Sequence, residues 1–314
     1  MSTAFLFPGQ GSQAVGMLDA CLVEDASRRA ELERAEAVLD LPLRRLMTAG
    51  PPAELDRTEI AQPALLTLGV LQARHLLHLG VAPRCLLGHS LGHITALVAA
   101  GAVELETALR LVALHARLLV EAMPPEGGAM VAVLGVERER IYAVCRSMRS
   151  HGVVGVACHN APGQTVISGA RSAVEAAADA LDAEGALTNQ LNIPLGAHSD
   201  LLRPVVPYFE SVVAEVAIRD PHTTVLDSVT ARPLAGAEDV RRSLVEQLTA
   251  PILFEEGVSA ARQMGIRRFV ECGPGDVLTR CVRRQAPGAE VLTFREAEGT
   301  RRAASARPEI SWPA

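Results

Sequence analysis

This 314-residue chain contains no lysine, so all 30 of its basic residues are arginine. Its aromatic content is only 3%, and a core must therefore be built on Leu, Val, Ala and Ile. No run of 18 apolar residues occurs, which excludes a membrane-spanning helix. The net charge of −6 argues against a general nucleic-acid binder, so we expect neither a nucleic acid nor a membrane as partner.

The start of the chain also lacks a targeting signal. Residues 1–16 have neither the basic start nor the cleavage site of a signal peptide, and we expect a cytoplasmic protein. Cys-x-x-Cys pairs are missing as well. The six cysteines, at positions 21, 85, 145, 158, 272 and 281, are interpreted as free thiols, and no metal site is expected.

What the chain does contain is an alternation of short apolar runs and longer helical patterns. Runs at 3–7 and 85–87 predict buried strands, and patterns at 28–39, 64–79 and 105–123 predict helices. Pro51-Pro52 and Gln62-Pro63 are interpreted as breaks. Strand-like runs return at 224–227, 268–271 and 291–294. This order is typical of an α/β fold with a parallel sheet.

The pattern changes after residue 125. Predicted elements at 129–134, 138–149, 153–158, 165–168, 173–184 and 188–193 follow the order strand–helix–strand–strand–helix–strand. That is the split βαβ order of a ferredoxin-like unit. We therefore predict a large α/β subdomain from residues 1–125 and 196–297, and a small ferredoxin-like subdomain from residues 126–195. The Ala-, Arg- and Pro-rich remainder, 298–314, is predicted to be a disordered tail.

The most informative stretch is the pentapeptide Gly88-His89-Ser90-Leu91-Gly92, which lies between an apolar run and a helical pattern. A tight strand–turn–helix exposes the hydroxyl of a serine at its apex, beside helix-terminal N–H groups that can stabilise an oxyanion. The pentapeptide alone could arise by chance in an ordinary turn. In this context it predicts a nucleophilic serine that takes up an acyl group.

Further segments occur in a consistent order around this turn: residues 7–13 (FPGQGSQ), 62–64 (QPA), 160–164 (NAPGQ), 198–199 (HS), 247–248 (QL) and 273–275 (GPG). Together with the serine turn, they make the chain resemble the malonyl-CoA:acyl carrier protein transacylase family, which includes the acyltransferase domains of polyketide synthases. The resemblance extends to about residue 297. It implies an α/β-hydrolase-like large subdomain with a parallel sheet and a small ferredoxin-like subdomain.

The resemblance also implies a ping-pong acyl transfer through Ser90. His198 would be the general base, oriented by the backbone carbonyl of Gln247. The oxyanion hole would consist of the backbone N–H groups of Gln10 and Leu91. No metal and no bound organic cofactor is implied, because phosphopantetheine would arrive on an acyl carrier protein or on CoA.

Substrate recognition is expected from other positions. His89 and Asn160 either line the acyl pocket or only support local structure. In malonyl-using members an arginine grips the substrate carboxylate, and its place falls on His115; the residue before the base, usually Phe for malonyl, is Ala197. Both departures favour a larger acyl group without a terminal carboxylate. A third departure is His93, where many members have Glu; either pocket polarity or a surface change would account for it.

The resulting hypothesis is a discrete acyltransferase of polyketide and antibiotic biosynthesis. It would move a bulky, non-malonyl acyl group between donor and acceptor acyl carrier proteins, like the aminoacyl and dipeptidyl acyltransferases of macrolactam pathways. The alternatives are a malonyl-CoA:acyl carrier protein malonyltransferase and a hydrolase that clears stalled acyl chains. An α/β-hydrolase esterase is disfavoured because no His-Gly-Gly-Gly loop is present.

Carrier proteins are acidic, which predicts a basic surface near the mouth of the site. Four arginines are candidates for carrier docking: Arg146, Arg149, Arg283 and Arg295. Ordinary solvated helix faces would give the same pattern.

Overall fold

The computed structural model describes residues 1–124 and 126–305 and contains two five-stranded sheets. The strands are β1 (Thr3–Phe7), β2 (Cys85–Gly88), β3 (Gly128–Leu134), β4 (Val154–Ala161), β5 (Gln164–Ala170), β6 (Leu187–Gln190), β7 (Thr224–Leu226), β8 (Ile252–Leu253), β9 (Arg268–Glu271) and β10 (Glu290–Thr293).

The helices connect and cover these strands. They are α1 (Ala20–Glu24), α2 (Ala26–Leu39), α3 (Leu43–Ala49), α4 (Pro52–Leu55), α5 (Thr58–His78), α6 (Leu91–Ala99), α7 (Leu105–Glu121), α8 (Arg138–Ser147), α9 (Arg171–Ala183), α10 (Val206–Glu215), α11 (Ala237–Glu246), α12 (Phe254–Gln263), α13 (Val277–Gln285) and α14 (Phe294–Ser305). Short 3₁₀ helices span Met148–His151 and Asp200–Val205. Across the described residues, no helix combines the length and the apolar character that crossing a bilayer requires.

The first sheet is fully parallel and has the strand order β10-β9-β1-β2-β7. Successive side chains of a strand point to opposite faces, and those of the central strand β1 enter two different cores. Phe5 and Phe7 pack with the α5–α7 side, whereas Ala4 and Leu6 pack with the α12–α13 side. The sheet is therefore covered on both faces, and the predicted α/β fold with a parallel sheet is confirmed.

The second sheet has the order β6-β3-β5-β4-β8. Its first four strands pair antiparallel in the arrangement of a ferredoxin-like unit, and α8 and α9 bury one face of them. The fifth strand, β8, comes from outside residues 126–195 and pairs parallel with β4. A two-residue strand carries no periodic pattern, which explains why the sequence did not predict it.

Two sequence expectations are wrong. Pro63 does not break the chain but lies inside α5. The helix loses one backbone donor there, yet its neighbours Ala61 and Ala64 are fully buried, and this packing outweighs the local cost. The tail predicted from residue 298 is helical through Ser305, because Phe294 and Ala297 anchor α14 in the core. The rest of that predicted tail, 306–314, lies outside the described residues.

Candidate active site

Ser90 occupies the turn between β2 and α6 with φ 55° and ψ −120°. A non-glycine residue at positive φ is strained, and such strain is concentrated at functional sites. The flanking glycines allow the turn to close. A Cβ on Gly92 would lie 1.8 Å from the carbonyl oxygen of Phe7, and one on Gly88 would lie 2.1 Å from the backbone nitrogen of His93. The turn thus holds the serine hydroxyl at the N-terminus of α6.

His198 contacts this hydroxyl directly. Its Nε2 lies 2.7 Å from Ser90 Oγ, and its Nδ1 lies 2.6 Å from the carbonyl oxygen of Gln247, the residue that follows α11. A carbonyl oxygen only accepts, so Nδ1 carries the proton and Nε2 offers a lone pair to the serine. His198 also has a positive φ, 56°. The pair is therefore arranged for proton transfer from Ser90 to His198.

The protonation state of His198 suits a base. Burial is the main cause that lowers its pKa to about 4; the hydrogen bond to Gln247 opposes this shift, and the nearby His89 adds a smaller decrease. The imidazole is consequently neutral at pH 7 and able to accept a proton.

Two backbone N–H groups remain available near Ser90. Leu91 is the first residue of α6, where helical N–H groups have no partner within the helix, and neither its N–H nor that of Gln10 donates to another described residue. The side chain of Gln10 is engaged separately, because its Nε2 donates to Thr58 Oγ1 at 3.0 Å and its Oε1 accepts from Gln62 at 3.2 Å. The backbone at Gln10 is therefore fixed in place.

The hydrogen bonds between Gln10 and Gln62 and between Gln62 and His115 determine which ring nitrogen of His115 carries the proton. Its Nδ1 lies 2.9 Å from Gln62 Oε1, which can only accept, so His115 carries its proton on Nδ1. Burial, and to a lesser extent His198, lowers the pKa of His115 to about 3, and the ring is neutral. Its Nε2 therefore presents a lone pair. Arg117, two residues further on, is exposed and pairs with Glu121 outside the site.

These groups surround a cavity of about 240 Å³ between the two sheets. His89, Ser90, His115, Ala197 and His198 all line it. Most of the wall is apolar and comes from both subdomains, including Leu119, Met130, Val166, Ile193, Leu248 and Leu278. No arginine, aspartate or glutamate is among the lining residues in the described parts of the chain.

His89 and Asn160, for which the sequence left two interpretations, both line the cavity and contact each other. His89 Nε2 lies 2.8 Å from Asn160 Oδ1, which joins the serine turn to the end of β4. Burial lowers the pKa of His89, so this ring is neutral too. The contact holds the small subdomain against the nucleophile turn.

The candidate docking arginines fall into two groups. Arg146 and Arg149 are exposed, line a groove that also reaches His198, and have no ion-pair partner among the residues described. Arg295 instead pairs with Asp19 at 2.6 Å, and Arg283 lies 3.6 Å from Glu296. The structure thus brings only the first pair to a groove beside the site with its charge uncompensated.

Sequence reasoning missed several parts of the cavity. Gln62 stood in a recognised segment, but its bond to His115 depends on residues 53 positions apart. Cys158, Leu278 and Cys281 come to the wall from β4 and α13. Their apolar character indicated burial only, and nothing in their spacing could show that they face a cavity rather than a filled core.

A serine–histidine pair without a carboxylate partner, set on an α/β core beside a ferredoxin-like unit, defines a class of acyltransferases. The comparisons with known proteins agree. A family model described as the acyl transferase domain matches residues 4–303, and the chain belongs to this acyl transferase family. It is an acyltransferase, related to the enzymes of acyl-carrier-dependent fatty acid and polyketide synthesis.

Individual relatives are similar over almost their whole length. The malonyl CoA-acyl carrier protein transacylase of Bacillus subtilis (strain 168) is 35% identical over 286 residues, which cover 90% of this chain and 89% of that protein. The solved structure of the corresponding transacylase from Coxiella burnetii has a TM-score of 0.91 at 33% identity, covering 96% of both chains. A malonyl-transacylase solved in complex with its type II polyketide synthase acyl-carrier protein has a TM-score of 0.89 at 34% identity, covering 93% of this chain and 95% of that one.

Proposed function

We propose that this enzyme transfers an acyl group without a terminal carboxylate between acyl carrier proteins, through an ester on Ser90. The observation that carries the proposal is the neutral, Gln62-bound His115 in a cavity that no charged side chain of the described residues lines. Ser90 is the nucleophile and His198 the base in this proposal.

The chemistry follows from the site geometry. Ser90 Oγ attacks the thioester carbonyl while its proton passes to His198 Nε2, 2.7 Å away. The N–H groups of Gln10 and Leu91 stabilise the oxyanion, each donor being worth about 3 kcal/mol of barrier. The phosphopantetheine thiolate leaves and takes the proton from His198. In the second half, His198 accepts the proton of the incoming thiol, which attacks the ester carbonyl; the bond to Ser90 Oγ breaks, and His198 returns the proton to Ser90.

The hydrogen-bond acceptor on His115 favours an acyl group that carries a hydrogen-bond donor. A carboxylate offers only acceptors, and the Nε2 lone pair of His115 is also an acceptor, so the two repel. An amide or amine N–H of the acyl chain would donate to Nε2 instead. Aminoacyl and dipeptidyl units have such N–H groups, and the apolar wall accommodates the rest of the chain.

The second candidate is malonyl transfer, which is favoured by the relatives. The named proteins with 33% to 36% identity include several malonyl CoA-acyl carrier protein transacylases. In this candidate His115 would have to bind a carboxylate without a positive charge. A third outcome, hydrolysis of the acyl ester, uses the same serine and histidine with water as the acceptor.

The test measures the mass of the intact enzyme after brief incubation with a carrier protein loaded with malonyl, butyryl or β-alanyl groups. Faster acylation by the two chains without a carboxylate is expected, and Ser90→Ala should acquire no adduct. A malonyl adduct that forms far faster than the others would establish the second candidate. Acyl transfer to an added acceptor carrier is expected, whereas free acid both with and without the acceptor would indicate a hydrolase.

A substitution at His115 tests the recognition argument. His115→Arg should raise malonyl acylation relative to butyryl by roughly 10- to 100-fold, because a charge-assisted bidentate contact is worth about 1.5–3 kcal/mol. His115→Gln is the matched neutral control and should bring no gain. Unchanged malonyl acylation in the arginine variant would contradict the role given to His115.

A further inference from the structure

A second serine–histidine contact is buried behind the active site. His93 on α6 and Ser243 on α11 are both fully buried, and Ser243 Oγ lies 2.7 Å from His93 Nε2. Ser243 also donates to Asp227, which follows β7, at 2.7 Å. Ser243 is 150 positions from His93 and 16 positions from Asp227 in the sequence, so folding brings the three residues together. Since His93 is inaccessible, the alternative of a surface change at this position is wrong.

The direction of these hydrogen bonds can be assigned. Asp227 accepts from the backbone N–H of Val229 and the hydroxyl of Thr230 as well as from Ser243, so it acts as a carboxylate. The single hydroxyl proton of Ser243 is thus used on Asp227, and Ser243 Oγ must accept from Nε2–H of His93. Burial lowers the pKa of His93, in keeping with a neutral ring.

The His93–Ser243 contact closes a ring of hydrogen bonds that contains the candidate catalytic groups. The backbone N–H of His93 donates to the carbonyl of Ser90 at 2.8 Å, and that of Gln247 donates to the carbonyl of Ser243 at 3.2 Å. Gln247 then accepts from His198, and His198 accepts from Ser90. The contact is therefore the only side-chain link in this ring besides those made by His198 itself.

We propose that His93 is a positioning residue which, through Ser243, fixes the distance between Ser90 and the Gln247 carbonyl that orients His198. The proposal rests on the acyl transfer through Ser90 proposed above. Without the His93–Ser243 hydrogen bond, α6 and the end of α11 can shift against each other. Because His198 is hydrogen-bonded to the Gln247 carbonyl, it would move with α11 and away from its position beside Ser90. A misplacement of about 1 Å between reacting groups can cost roughly 100-fold in rate.

The test uses diisopropyl fluorophosphate, which phosphorylates an activated serine hydroxyl with release of fluoride and needs no acyl substrate. The rate of Ser90 labelling is followed by intact mass and located by peptide mapping. His93→Leu should label at least about tenfold more slowly than the original enzyme, consistent with displaced reacting groups. His93→Gln keeps an N–H donor at the same distance along the side chain and should stay within about threefold. In acyl transfer, His93→Leu should lower kcat and leave KM unchanged.

Matched variants separate positioning from stability. Ser243→Ala removes one oxygen and should repeat the slow labelling even if His93→Leu does not fold. Val240→Ala weakens the packing of the same helix without touching the contact, because Val240 is a fully buried core residue, and should label at the original rate. Labelling at the original rate in both His93→Leu and Ser243→Ala would overturn the inference. Failure of the original enzyme to label at Ser90 would instead overturn the proposed function.

Discussion

At the scale of single residues, protonation determines what the site can do. Three histidines around Ser90 have lowered pKa values because their rings are buried: His89, His115 and His198. All three are neutral at pH 7 and therefore leave the cavity without formal charge. A thioester carries no formal charge at its reacting carbon either, so neutral histidines suit the carbonyl that Ser90 attacks in the proposed reaction.

The pH dependence of Ser90 reactivity follows from the base. His198 must be neutral to accept a proton, and its pKa is about 4 rather than the ordinary 6.5. The rate of Ser90 labelling by diisopropyl fluorophosphate should therefore stay constant as pH falls from 8 to about 5.5 and halve only near pH 4, because protonation removes the base. Rates measured across this range, with folding followed by circular dichroism, check the expectation. A midpoint near 6.5 in folded enzyme would contradict it.

The sequence was most informative where a short motif specifies both residue type and backbone shape. Gly88, Ser90 and Gly92 predict a tight strand-to-helix turn, and the structure has it; the positive φ of Ser90 was found only in the structure. The sequence also indicated that His115 stands where malonyl-using members of the family have the arginine that binds the substrate carboxylate. The neutral state of His115 did not, because it depends on Gln62 and on burial, and both arise only when distant segments meet.

At the scale of elements, the site depends on the close approach of α6 to β1. Gly92 sits where a Cβ would meet the carbonyl oxygen of Phe7 at 1.8 Å, well inside van der Waals contact. Because β1 is the central strand of its sheet, it cannot move aside without disturbing both neighbours. The short distance between α6 and β1 is thus possible only because Gly92 has no side chain.

Gly92→Ala should consequently lower the free energy of unfolding by about 4 kcal/mol or more, which is the range of severe steric conflicts in a core. Gly155→Ala is the control, since no atom lies within 4 Å of a Cβ at that position on β4, and its effect should be within about 1 kcal/mol. Urea unfolding of both variants measures the difference. Equal stability of the two variants would show that β1 and α6 can separate freely.

Element types were predicted better than element boundaries. The strand at 268–271 matches β9 residue for residue; its apolar pair Phe269-Val270 is bounded within the strand by Arg268 and Glu271. The start of α5 and the strand β8 were missed. In both cases tertiary contacts decide: buried neighbours hold Pro63 within a helix, and β8 exists only because β4 offers it an edge.

At the scale of the whole molecule, the cavity lies between the two sheets, and neither subdomain forms it alone. In the proposed reaction an acyl carrier protein would dock beside the mouth of the cavity, and Arg146 and Arg149 line a groove that reaches His198. Their charges are not paired with carboxylates of the described residues. We expect this groove to attract the acidic surface of a carrier.

Arg149→Glu should therefore raise the KM for a carrier-bound acyl group about three- to tenfold at low salt, the scale of an exposed charge pair at the rim of an interface. The effect should shrink as salt is added, because exposed charges are screened. Arg34→Glu, an equal charge change at an exposed position of α2, is the control and should leave KM unchanged. Equal KM values for both variants would place the docking surface elsewhere.

The sequence by itself determined the α/β class and the positions of most strands and helices, because these depend on local periodicity; the pairing of Ser90 with His198 came from the resemblance of its motifs to the transacylase family. Only the tertiary structure decided the electrostatics of the cavity and the support behind it. Neutral histidines, the Gln62–His115 bond and the His93–Ser243 link all arise from burial and from contacts between segments far apart in the chain. No local sequence pattern predicts such contacts, because each of these side chains can hydrogen-bond to many residue types and the fold determines which partner lies within reach.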